Sequence, residues 1–265
     1  MTVPSGIARK PPADWDAEKT AKLILVGVTH VALASLPVSH VIEHSAVRPT
    51  PHGLPVQLAL AGKALDARLP LALLEAVRTI DTPEAELDAE LVHELRNKRL
   101  GLSETVYMQI KRYNDAVRRS QRVPYDEVLA LARLIGRRPD ADLAFREAGR
   151  RWARAMVSTV SSLNRSASTS LPAFFGRPIA LRQLRRLARR NMSGVISRQG
   201  STLLLDIKSP VSVDAAPNFV GCGLYEAAFR ELLLLLCGVE GAVDHVLCLG
   251  RGDSSCQWRA DWRRR

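Results

Sequence analysis

Apolar residues recur at helical spacing through much of the chain up to Ala188 and then switch to short alternating runs. Residues 56–97 read as largely helical. Within them Thr82-Pro83-Glu84-Ala85-Glu86 is a helix start: proline sits just inside the first turn and the two glutamates favour the positive end of the helix dipole. Helical periodicity returns over 104–118, 124–135 and 141–160. Leu181, Leu184, Leu187 and Ala188 form the apolar face of a further helix, and Arg182, Arg185, Arg186, Arg189 and Arg190 occupy its other face. Residues 194–198 and 202–208 are short apolar runs joined around Gln199-Gly200, which predicts a hairpin. A strongly apolar helix over 219–236 is ended by Gly238. A second hairpin, 242–249 with 256–262, turns across Gly250-Arg251-Gly252-Asp253. A helical front half followed by hairpin, helix and hairpin is an α+β pattern, with a small antiparallel sheet packed on helices.

Breakers and charge refine this organisation. Residues 48–55 (Arg-Pro-Thr-Pro-His-Gly-Leu-Pro) mark a boundary, residues 1–17 read as peripheral, and 158–170 read as a Ser/Thr-rich link. The expected division is a mostly helical region of unassigned role, 1–100, and a second domain, 101–265. Residues 23–42 carry no formal charge. Thr29, His30, Ser35, Pro37, Ser39 and His40 interrupt that run, so a buried strand or core helix is expected there and not a membrane span. His30, His40 and His44 read as ordinary histidines, since only Glu43 joins them. The net charge is +11, and its placement matters more than its size. Between residues 148 and 205 there is no Asp or Glu but there are eleven arginines; the other 27 of the 38 basic residues balance the 27 acidic ones. This stretch, Arg150 to Arg198, is either a solvated helix face or a surface for nucleic acid or an anionic membrane.

Four cysteines in 265 residues are too few for a disulfide scaffold, and the polar, proline-bearing start is unlike a signal peptide. The expected compartment is a reducing cytoplasm, where thiols stay free. Cys222, Cys248 and Cys256, with His245, lie within the last 45 residues. Three soft thiolates and an imidazole suit a closed tetrahedral zinc site; small buried hydrophobes or a redox-active thiol pair are the other readings. The spacing has no Cys-x2-Cys knuckle, so a fold must bring the four together. On a regular strand His245 and Cys248 would face opposite sides, so a bulge or strand end near Leu247 is required. Cys237, at the end of a leucine run, reads as core.

The segment Cys222…Val243-Asp244-His245-Val246-Leu247-Cys248-Leu249-Gly250…Gly252-Asp253-Ser254-Ser255-Cys256-Gln257-Trp258 resembles the 4-vinyl reductase domain. The likeness covers 103–262 in element order and 222–258 in motif. That family includes a bacteriochlorophyll-synthesis accessory protein and sensor modules of aromatic-responsive activators, and its fold is related to TRAPP subunits. In the sensor branch three cysteines and an acidic residue three positions before the middle one bind zinc. His245 stands where that carboxylate would be, a chemically sensible exchange that leaves Asp244 as a competitor. The resemblance implies a structural zinc on Cys222, His245, Cys248 and Cys256, a possible homodimer, and a pocket for a small hydrophobic, aromatic or tetrapyrrole molecule. Trp152, Phe174, Phe175, Tyr225 and Phe229 are the candidate pocket walls, against the alternative that they are plain core.

A non-catalytic sensor or accessory protein is therefore expected, with a role in (bacterio)chlorophyll or tetrapyrrole synthesis, or an Arg-rich nucleic-acid or anionic-surface protein, as the alternatives. There is no Gly-x-Gly-x-x-Gly dinucleotide fingerprint, and no nucleophile-base or paired-carboxylate constellation has spacing support.

Overall fold

The helical and alternating patterns resolve into helices and antiparallel sheet in a computed structural model of the chain, which describes residues 63–82, 99–161, 173–215 and 217–262. The chain divides into two units, Met1–Pro49 and Thr50–Arg265, and all the described residues belong to the second. The readings of residues 1–17, the uncharged run 23–42, His30, His40, His44, the helix start after Thr82 and most of the Ser/Thr-rich link with Arg165 lie outside the described residues.

A short ribbon pairs β1 (Ala64–Asp66) with β2 (Arg122–Pro124) in antiparallel register. Strand β1 falls in a stretch predicted to be helical; three residues are too few for either periodicity to register. Helix α1 (Arg68–Asp81) follows it and buries Leu69, Leu73, Ala76 and Val77. Helix α2 (Glu104–Arg118) starts at Ser103, whose hydroxyl accepts the Val106 N–H at 3.3 Å, and Glu104 sits in its first turn. Pro124 precedes α3 (Tyr125–Gly136), and α4 (Ala141–Val157) buries Phe145, Ala148 and Trp152. Helix α5 (Ala173–Leu187) runs into a π-turn, Ala188–Met192, and Ser193 ends it in the left-handed region at φ 52°. Helix α6 (Gly223–Cys237) stops at Gly238, φ 60°, a left-handed cap that glycine adopts without strain. It begins four residues later than predicted, because Pro217–Cys222 form a 3-10 turn in which Phe219 has φ 58°.

Helix α4 lies along α6 on one side and α1 on the other. A Cβ at Gly149 would overlap the Leu224 carbonyl, so glycine permits the α4–α6 crossing. Arg146–Glu226 at 2.7 Å and Arg154–Glu231 at 2.8 Å link the same two helices at the margin of the apolar contact.

The sheet contains β3 (Gly194–Gln199), β4 (Thr202–Ile207), β5 (Val243–Leu247) and β6 (Cys256–Asp261), in the antiparallel order β3-β4-β6-β5. Both predicted hairpins form and dock through their second strands. Alternate residues Leu203, Leu205 and Ile207 of β4, and Cys256, Trp258 and Ala260 of β6, are buried. The architecture is α+β, as the pattern predicts. Among the described residues no helix is long and apolar enough to cross a membrane.

Candidate metal centre

Three separate pieces of chain supply the donors. Cys222 ends the 3-10 turn and is the residue before α6, so helix α6 sets its position. His245 lies on edge strand β5, and Cys256 opens β6. Cys248 follows β5 directly and begins the turn back to β6.

The register explains how His245 and Cys248 share a side. His245 pairs with Trp258 and Leu247 with Gln257, so Val246 is an extra residue on β5 and a bulge lies between His245 and Leu247. One inserted residue reverses the alternation beyond it and turns Cys248 to the side of His245. The bulge stands where the sequence requires one.

The ligand atoms of Cys222, His245, Cys248 and Cys256 all lie within 4.8 Å of one another, and the Cys222 and Cys248 sulfurs are 4.0 Å apart. A tetrahedral zinc with Zn–S near 2.3 Å sets sulfur–sulfur separations of about 3.8 Å, so small rotations would close the shell. All three cysteines are free and buried. Among the described residues His245 Nε2 is buried without a hydrogen-bond partner, an orphaned polar atom that a metal would satisfy. These four residues can hold a metal ion.

Neighbouring groups order the cluster. The Asp253 carboxylate accepts the Cys248 N–H at 2.7 Å and pins the turn between the last two ligands. The Leu249 N–H points at the Cys256 sulfur at 3.4 Å. The His245 ring stacks on Trp258, 4.9 Å between centroids and 11° between planes, which fixes its orientation. Gly250 lies against the Phe219 ring with no room for a Cβ, so the turn after β5 seats on the segment leading to Cys222. Asp244, the possible competitor, is exposed and paired with Arg259 at 3.0 Å. Leu249, Asp253 and Trp258 stand inside the motif around the cysteines, but residue type and spacing alone do not mark them as supports of the ligands.

Charge in the cluster is uneven. A hydrogen bond from Cys222, reinforced by His245 and the Leu249 N–H, pulls Cys256 down to about 5 against the opposing effect of burial. The same bond to Cys256, together with burial, pushes the Cys222 thiol up. Burial, then the neighbouring Cys256 charge, raises Cys248. Cys256 is thus the first thiolate, and a divalent cation would complete the deprotonation of the others.

Trp152, Tyr225 and Phe229 are fully enclosed. Trp152 meets Tyr225 edge-on at 5.8 Å, and Tyr225 lies 5.4 Å from Trp258, which links the helical core to the Cys/His cluster. Among the described residues the indole N–H groups of Trp152 and Trp258 have no partner, whereas the Tyr225 hydroxyl accepts the Val211 N–H at 3.1 Å. Phe174 and Phe175 lie in the first turn of α5. Cys237 is buried at the end of α6.

The arginine-rich stretch separates into two parts. Arg150 and Arg151 pair with Glu147, and Arg154 with Glu231. Arg182, Arg186, Arg189 and Arg190 are exposed and form no ion pair among the described residues.

Comparison with protein-family models, with curated proteins and with solved structures finds no match.

Proposed function

We propose that this chain is a non-catalytic, zinc-stabilised module of the 4-vinyl reductase domain type that binds a small molecule as a sensor or accessory protein. The observation that carries the reading is the convergence of Cys222, His245, Cys248 and Cys256 within one coordination sphere. Three thiolates and an imidazole select zinc over hard cations. Four protein ligands fill a tetrahedral shell and leave no position for an activated water, so the ion would hold structure without hydrolysing a substrate. It would tie the start of α6 to the β5–β6 hairpin. An aromatic or tetrapyrrole molecule is the ligand class that the family resemblance implies; Trp152, Tyr225 and Phe229 themselves are enclosed in the core and line none of the arginine-lined surface concavities.

Metal analysis of untagged protein is the test. One zinc per chain is expected in the wild type, with loss or weakening in Cys256→Ser and His245→Ala. A folded, metal-free wild type that takes up no added zinc sinks the reading. Quenching of tryptophan emission by aromatic acids or tetrapyrroles then tests the ligand class; an unchanged spectrum across both sets removes it.

A further inference from the structure

Three concavities on the surface of the second unit share walls. The first, about 790 Å³, runs along α5 and the π-turn and is lined by Arg182, Arg185, Arg186, Arg189 and Arg190 above Pro178 and Leu181. Arg190 also lines a second, about 90 Å³, with Arg68, Arg122, Ser120 and Gln121. Arg122 in turn lines a third, about 350 Å³, with Arg112 and Arg119. The grooves therefore form one track joined at Arg190 and Arg122.

The carboxylates along it are few. Asp66 is held by Arg68 at 2.7 Å, and Glu127 by Arg112 and by the Tyr113 hydroxyl. Asp115 is the third. Among the described residues Arg182, Arg186, Arg189 and Arg190 have no carboxylate partner, and Arg185 spends one N–H on the Ile196 carbonyl at 3.3 Å. Arginines crowded without counter-charge repel one another, and an anionic partner relieves that repulsion.

The shape identifies the partner. Arg182 to Arg190 span about 12 Å at 1.5 Å per residue. Duplex nucleic acid presents one phosphate per about 3.4 Å of axis along each strand, and five arginines over this length, about one per 3 Å, match the charge density of one strand of a duplex. A flat bilayer would not follow concave grooves, and the exposed large apolar residues, among them Met108, Leu134 and Val195, line none of them. Single-strand binding relies on stacking platforms, yet among the described residues the one aromatic on the track, Tyr113, is buried. We propose that this arginine track binds the phosphate backbone of double-stranded nucleic acid without reading its sequence.

The experiment is fluorescence anisotropy of a labelled mixed-sequence DNA duplex of about 25 base pairs with the full chain, between 50 and 200 mM salt. Engaging five or six phosphates predicts a log–log salt slope near −5 and a loss of affinity of about 10³-fold over that range. Arg186→Gln/Arg189→Gln and Arg122→Gln/Arg190→Gln should each flatten the slope by about 2, with unfolding temperature unchanged. Arg150→Gln/Arg151→Gln removes the same net charge from residues already paired with Glu147 and should leave the slope within about 0.5 of wild type. Equal effects from all three pairs, tighter binding to single strands, or binding to phosphatidylserine vesicles but not to duplex would overturn the proposal.

Discussion

Val246 is the residue on which the candidate metal centre turns. Because it is the extra residue of the bulge, His245 and Cys248 face one point although their separation is odd. The four donors were legible from residue type alone, and the need for a bulge followed from strand geometry. The supports were not, because a carboxylate that caps a turn five residues back looks like any turn aspartate. Asp253→Ala should free the Cys248 N–H and lower zinc affinity by about 10- to 100-fold in a chelator competition, with the same stoichiometry. Unchanged affinity would show that the turn holds Cys248 without that bond. Deleting Val246 should return β5 to regular alternation and abolish stoichiometric zinc binding.

Helices α4 and α6 are the elements whose contact sets where Cys222 lies. Gly149 lets the Leu224 carbonyl approach, and Leu224 is two residues beyond Cys222. Gly149→Ala gains helix propensity but forces the helices apart, and overpacking should win, with a net loss of about 1–3 kcal/mol. Urea unfolding should show a lower midpoint at constant slope. Apolar periodicity revealed most of these helices, since each buries one broad face. It did not reveal the β1–β2 ribbon, whose pairing joins residues far apart in sequence, nor the 3-10 turn before α6. There Phe219 has a positive φ that no apolar pattern encodes.

Across the whole unit, polar contacts fix how the front helices meet the rest. Asp81, at the end of α1, is buried and accepts the Gly101 N–H at 2.7 Å and two Arg138 N–H groups at 2.9 and 2.7 Å. Arg138 also grips Asp140 just before α4. Arg138→Met should cost about 3–5 kcal/mol at neutral pH by leaving Asp81 buried without its partner. Hydrogen bonding to Arg138 holds the Asp140 carboxyl below the usual range. Its contribution is therefore present above the ordinary aspartate value near 3.9 and is lost as pH falls below it. Stability of Arg138→Met should fall less steeply than wild type below about pH 4, and parallel curves would refute the coupling. The same arithmetic of charge showed where the surplus lay, but only the fold separated the arginines held by Glu147 and Glu231 from those on the open track. The order β3-β4-β6-β5 has a kinetic consequence. Each hairpin pairs strands adjacent in sequence, whereas β4 and β6 are separated along the chain by α6, so their seam is expected to form in the slow, non-local step. An ion bound at the β5–β6 end would act after that step, slowing unfolding while leaving the folding rate nearly unchanged. Hydrogen exchange on stripped protein should then accelerate first at β5, with the amides of the β4–β6 seam the last to go.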